Sequence, residues 1–158
     1  MKRILATLLL ISLLLSLCAC SNQKEIRFYY TRSEILYGHT DGVISSEIRD
    51  VSGHEGDLSY LLMLYLEGPH ADYLSSPFPK GTALSQMEMQ DGHMTIVLSE
   101  PFSQLQGLDL TLACSCIANT CFSISHCEAV TVQSDSTGVP AITLTRDSVA
   151  LVDTETEP

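Results

Sequence analysis

The chain has 158 residues, 45% of them apolar, with 8 Lys+Arg against 19 Asp+Glu for a formal net charge of −11, and six cysteines. That length is one domain's worth, and an apolar share near the globular norm calls for a packed core and not a disordered chain. The acidity excludes a nucleic-acid binder, because displacing counterions from phosphates takes a Lys/Arg footprint and the basic residues here are scattered singly apart from Lys2-Arg3.

Met1-Lys2-Arg3 opens onto Ile4 to Leu17, an apolar run broken only by Thr7, Ser12 and Ser16. It is shorter than the ~20 residues a bilayer-spanning helix needs. A charged start, a short apolar stretch and small residues after it form the pattern of a secretory signal. The run ends in Leu17-Cys18-Ala19-Cys20, which resembles the lipobox of bacterial lipoproteins, where the cysteine after a small residue is lipidated and becomes the mature N-terminus. The resemblance implies a signal peptide over residues 1–19 that takes Cys18 with it, lipidation (palmitate) at Cys20, and a location at the extracytoplasmic face of the cell membrane. An uncleaved N-terminal anchor or a different cleavage site is the alternative, and either way the domain sits outside the cytoplasmic membrane. Cleavage would remove Lys2 and Arg3 but no acidic residue. The mature domain would then be repelled by anionic lipid, so attachment would rest on the lipid and not on a polybasic patch.

Residues 20–25 leave only a short spacer before a domain expected over 26–146. Ile26 to Thr31 alternates Ile26, Phe28 and Tyr30 with Arg27, Tyr29 and Thr31, the pattern of a strand. Asp41-Gly42 signals a turn, and Val43 to Val51 reads as a weaker second strand. Asp57 suits the N-cap of a helix over Leu58 to Glu67, with Leu58, Leu61, Leu62 and Tyr65 on one face and Met63, Leu64 and Leu66 widening the stripe. Gly68 supplies a left-handed stop and Pro69 forbids continuation. Leu84 to Leu98 reads as a hairpin about Asp91-Gly92 in which Met89 faces Met94, Met87 faces Ile96 and Ser85 faces Leu98, placing a methionine row on the buried face. From Gly107 a second helix carries Leu108, Leu112 and Cys116 on one stripe with Leu105 a turn earlier, and is expected to end near Asn119-Thr120. Strands follow at Ala129 to Gln133 and Ala141 to Thr145, and residues 147–158 form an acidic tail. Two helices and about six strands predict a single α+β domain, a mixed sheet with both helices on one face.

Several elements fall in a particular order. An aromatic strand precedes a leucine-rich helix that closes in Leu66-Glu67-Gly68-Pro69; then come Phe78-Pro79-Lys80-Gly81-Thr82, a hairpin ending Val97-Leu98-Ser99 with Phe102 beyond, and a helix leading into Val130-Thr131-Val132. This order resembles the GerM-type (GerMN) domain of sporulation and spore-germination lipoproteins, over about residues 25 to 135. Gly68-Pro69 stops a helix and Pro79 with Gly81 makes a turn into the hairpin, so the motif residues Gly68, Pro69, Pro79, Gly81 and Thr82 read as architectural. Phe78 stands where the family commonly has an aliphatic residue, Leu98 where it has Asp, and the second helix carries cysteines the family lacks. The resemblance implies a membrane-anchored, non-enzymatic domain that works with other envelope proteins of spore-forming bacteria. Related GerM proteins carry two such domains and help build the channel apparatus between mother cell and forespore; this chain has one copy.

Catalytic patterns are absent from the sequence: it holds no Gly-x-Ser-x-Gly elbow, no His-Glu-x-x-His and no Gly-rich phosphate loop, and His39, His54, His70, His93 and His126 are dispersed. No cofactor is expected. The feature that departs from a plain domain is Cys114, Cys116, Cys121 and Cys127, open to three readings: disulfides, buried free thiols, or a metal site with His126 as a further donor. The spacing lacks the Cys-x2-Cys knuckles usual for zinc. On a regular helix Cys114 and Cys116 project about 200° apart and Cys114 and Cys121 lie about 10.5 Å apart. Bridges would therefore join Cys114 or Cys116 to Cys121 or Cys127, or the helix would end before Cys121. A small-ligand or metal-binding domain built on this cluster is the competing functional class.

Overall fold

The computed structural model describes residues 25–33, 42–137 and 140–149. The expected signal peptide over residues 1–19, Cys20, Asp41 and residues 150–158 of the acidic tail lie outside the described residues. In chain order the elements are β1 (Glu25–Arg32), β2 (Ile44–Asp50), α1 (Leu58–Leu66), β3 (Leu74–Ser75), β4 (Leu84–Gln90), β5 (His93–Leu98), a 3-10 turn (Glu100–Gln104), α2 (Gly107–Ile124), β6 (Ala129–Ser134), β7 (Ile142–Thr145) and a second 3-10 turn (Arg146–Ser148).

The α+β class is as expected, and the seven strands divide between two sheets, one ordered β2-β1-β3 and the other β4-β5-β6-β7. β5 and β6 are parallel and every other pair is antiparallel. Antiparallel neighbours can be joined by a tight turn, whereas the parallel pair needs a crossover, and α2 supplies it.

The first helix follows the sequence closely. The Asp57 carboxylate accepts the Tyr60 N–H at 3.0 Å, and Gly68 takes a φ of 102°, where a Cβ would be strained. Leu61, Leu62 and Tyr65 are buried, but Met63 is 52% exposed, so the wider stripe includes one solvent-facing residue.

The second helix differs more. It runs to Ile124 instead of ending near Asn119-Thr120, and Leu108 at its start is 69% exposed while Leu112 to Ala118 form an unbroken buried run. α2 packs against β1 of one sheet and against β6 and β7 of the other. A helix held between two layers is buried on more than one face, and only its first turn projects beyond them. By length and apolarity the helix could cross a membrane, yet those apolar faces are taken up inside the domain. Its C-terminus has no basic residue in the last turn. Arg146 supplies the charge from β7's end, with Nη2 donating to the carbonyls of Phe122 at 3.3 Å and Cys127 at 3.2 Å and the guanidinium 4.8 Å from the Phe122 ring centre.

The hairpin register holds for Met89–Met94 and Met87–Ile96, but a bulge between Leu84 and Gln86 puts Leu84, not Ser85, opposite Leu98. The extra residue lets the apolar Leu84 meet the core that Ser85 would have met. Met94 is fully buried, Met87 is half-buried and Met89 is 39% exposed, so the methionine row leaves the core at the turn end. The core is threaded by aromatic rings: Tyr30 stacks on Tyr65 at 4.9 Å, Phe28 and Phe78 each meet Tyr65 at 5.7 Å, and Phe78 approaches Phe102 at 6.4 Å.

Candidate functional site

The motif residues are bound into the fold. Glu47 and Arg49 lie two apart on β2, so they share a face, the one that also carries Phe28 and Tyr30 of β1. Both are buried and form an ion pair. Arg49 donates to the carbonyls of Leu64, at 3.2 Å, and of Gly68. The Glu47 carboxylate in turn accepts the N–H groups of His70 and Ala71, both at 2.9 Å. The pair thus grips the chain on both sides of Pro69. Burial works to raise the Glu47 carboxyl, but the Ala71 N–H, Arg49 and the His70 N–H outweigh it and hold it below its usual range. Opposite charges at i and i+2 on a weak strand were the only trace of this clamp in the sequence.

The second motif segment is a closed turn. Gly81 has a φ of 88°, and Pro79's carbonyl accepts both the Thr82 N–H at 3.1 Å and the Thr82 hydroxyl at 2.9 Å. Ser99, at the end of β5, clasps Ala83 in both directions: its N–H donates to the Ala83 carbonyl at 2.9 Å and its Oγ accepts the Ala83 N–H at 2.8 Å. Gly68 and Gly81 thus hold left-handed backbone, and Pro79 and Thr82 close the turn between them.

Cys114, Cys116, Cys121 and Cys127 are all buried and free. The helix does not end before Cys121; Cys114 and Cys121 fall on one stripe facing the main core, while Cys116 joins Ile44 and Leu112 in a small cluster flanked by Tyr29 and Val43. Burial pushes the Cys114 thiol up to about 12 and drives Cys116 and Cys121 well above the usual thiol range, with Cys114 adding to the effect at Cys116 and Cys127 at Cys121. Such groups stay protonated at neutral pH, the form that neither attacks nor ligates. His126 is exposed, and among the described residues no three His, Cys, Asp or Glu side chains are grouped to hold a metal ion. The cysteines here pack as small apolar side chains.

One polar opening lies at the tip of the β4–β5 hairpin, a cleft of about 420 Å³ lined by Glu88, Gln90, Asp91, His93 and Thr95. His93 Nε2 bonds to Thr131 Oγ1 at 2.7 Å, which in turn bonds to Thr143 Oγ1 at 2.7 Å. Glu128 lies against the same turn, its N–H donating to the Gly92 carbonyl at 2.7 Å. Glu88, Gln90, Asp91 and His93 are all exposed. Preorganised catalysis depends on excluding water around the reacting groups, and this cleft does not exclude it. Its lining holds two carboxylates and a histidine but no Lys or Arg.

Two solved structures resemble this fold. One is of the tandem GerMN domains of the sporulation protein GerM from Bacillus subtilis, 15% identical with a TM-score of 0.52, matching 82% of this chain and 44% of that one. The fold is that of a GerMN domain. The other is a Clostridium perfringens protein assigned as a lipoprotein, 18% identical with a TM-score of 0.50, matching 78% of this chain and 88% of that one. The chain spans less than half the length of the tandem GerMN structure. No family model and no curated relative matches the sequence.

Within the GerMN fold the departures noted in the sequence have physical places. Phe78 bridges Tyr65 and Phe102, and Leu98 is fully buried where an Asp would need a partner. Cys114, Cys116 and Cys121 lie on α2, where it is hemmed between the sheets, and Cys127 follows its end.

Proposed function

We propose that the chain is an exported lipoprotein, anchored through Cys20 at the extracytoplasmic face of the cell membrane after loss of residues 1–19. Its single GerMN-fold domain is read as a non-enzymatic interaction module for other envelope proteins, serving sporulation, germination or cell-envelope assembly. The observation that carries this reading is the pairing of a GerMN fold with motif residues spent on internal hydrogen bonds, beside an N-terminal segment ending in Leu17-Cys18-Ala19-Cys20. A ligand site on the cysteines would need an opening to thiols that are buried.

Two experiments test it. Cells given labelled fatty acid should label the wild-type chain and not Cys20→Ala, and label on the variant would overturn the anchor. Deleting the gene and scoring sporulation, germination and envelope integrity should reveal a defect that the Cys20→Ala chain repairs poorly. A domain that turned over an envelope substrate in purified form would overturn the interaction reading.

A further inference from the structure

Four strands end a sheet: β2, β3, β4 and β7. β3 is two residues long, β7 is four and runs straight into a 3-10 turn, and β2 has its Ser46 carbonyl taken by the Tyr73 hydroxyl at 3.4 Å. β4 is as long as β2, seven residues, but has no such bond on its outer edge among the described residues. Asp91 and Gly92, with φ of 50° and 76°, form the two-residue turn that closes on the pair Gln90–His93. Ladder bonds to β5 therefore run through Gln90, Glu88 and Gln86, and the N–H and C=O groups of Met87 and Met89 point away from the sheet. The same parity governs the far end of β5, where Ser99 reaches Ala83 on the β4 side at 2.9 Å and the Leu98 carbonyl takes the Asp135 N–H on the β6 side at 2.8 Å. Among the described residues nothing bonds to the outward groups of Met87 and Met89.

Exposed edges are usually guarded by proline, lysine or a bulge. Leu84–Gln90 contains neither proline nor lysine, and its bulge sits at the end away from the turn. A strand added to this edge would place alternate side chains on the two faces of β4. On the outer face they would meet Glu88 and Gln90 beside the cleft that also holds Asp91; on the other they would meet Met89, 39% exposed. Charge selects Lys or Arg for the first set and burial selects apolar side chains for the second. A second copy of the chain fits poorly, because the register that pairs Met87 with Met89 sets Glu88 against Glu88.

We propose that β4 is a docking edge for an extended segment of a partner protein that alternates apolar and basic residues, held by strand addition. The proposal rests on the interaction-module reading and names where and how that module binds.

The probe is a short fluorescein-labelled peptide alternating valine and lysine, titrated by anisotropy into the full chain in detergent micelles. It should bind at least about tenfold more tightly than a valine–glutamate peptide of equal length, and should slow hydrogen exchange at the Met87 and Met89 amides. Glu88→Lys should reverse the preference. Met89→Pro removes one outward N–H while sparing the ladder to β5, and should abolish binding. N-methylating the peptide backbone should abolish it too, with no change to the protein that could disturb folding. Equal binding of the two peptides, or undiminished binding after N-methylation, would overturn the docking edge. An envelope partner crosslinked in cells equally well by wild type, Glu88→Lys and Met89→Pro would overturn the edge and leave the interaction module standing. A chain that crosslinks to no envelope protein would overturn both.

Discussion

Thr120, in the C-terminal part of α2, accepts the backbone N–H of Tyr29 in β1 at 3.0 Å. On the same residue the Tyr65 hydroxyl donates to the Tyr29 carbonyl at 2.8 Å. β3 covers only the Thr31–Arg32 end of β1, so below that point the strand's edge is satisfied by side chains of the two helices. Ser123 continues the pattern one turn on, accepting the Arg27 N–H at 3.2 Å. Helix side chains here replace a neighbouring strand, which lets the two sheets remain separate.

Replacing Thr120 by the isosteric Val should keep the packing and strand the Tyr29 N–H. The expected loss is about 1 to 3 kcal/mol in a denaturant titration, with Thr120→Ser recovering most of it. A Val variant as stable as wild type would mean the bond contributes nothing.

The Glu47–Arg49 clamp makes two predictions of opposite charge. Glu47→Gln or Arg49→Met leaves one buried charge without its partner and should cost about 3 to 5 kcal/mol. The folded Glu47 carboxyl titrates below its unfolded value of about 4.3, so its contribution is present above that pH and is lost as pH falls through the folded pKa. Acid unfolding monitored by circular dichroism should therefore show a steeper decline below about pH 4 in wild type than in Glu47→Gln.

Buried thiols should be silent. In native protein Cys114, Cys116, Cys121 and Cys127 should react with an aromatic disulfide reagent orders of magnitude more slowly than after denaturation, when all four titrate. Raised folded pKa values keep the Cys114, Cys116 and Cys121 thiols neutral, so their contribution is full below an unfolded value of about 8.5 and falls as pH rises through the folded values. Cys114, pushed up to about 12, should gain the chain a marked alkaline sensitivity that Cys114→Ala reduces. Intact mass with and without reduction should be identical once alkylated under denaturing conditions.

Arg146 caps α2 from outside the helix, and Arg146→Met should cost about 1 to 2 kcal/mol by removing the bonds to Phe122 and Cys127. Hydrogen exchange should rise first at the last turn of α2. Arg146→Lys, with one point charge instead of a planar fork, should restore only part of the loss.

Local rules acted strongly enough to be read along the chain wherever neighbours in sequence are neighbours in space. The Asp57 cap, the Gly68 stop, the Asp91-Gly92 turn and the alternation of Ile26, Phe28 and Tyr30 each depend on residues within a turn or two, and all stand in the structure as the residue types imply. The order of those signals also sufficed to place the chain beside the GerMN fold. What only the tertiary structure decided involves contacts across long separations. α2 runs past Thr120 between the two sheets, and the Thr120 hydroxyl is engaged by Tyr29, 91 residues away. The state of the cysteines depended on two sheets closing over one helix, and the burial of Glu47 and Arg49 on the α1 exit folding down onto β2. The acidity that opened the reading gains a position in the same way: Glu88 and Asp91 line one cleft only once the chain reverses at Asp91-Gly92, with β4 left at the edge.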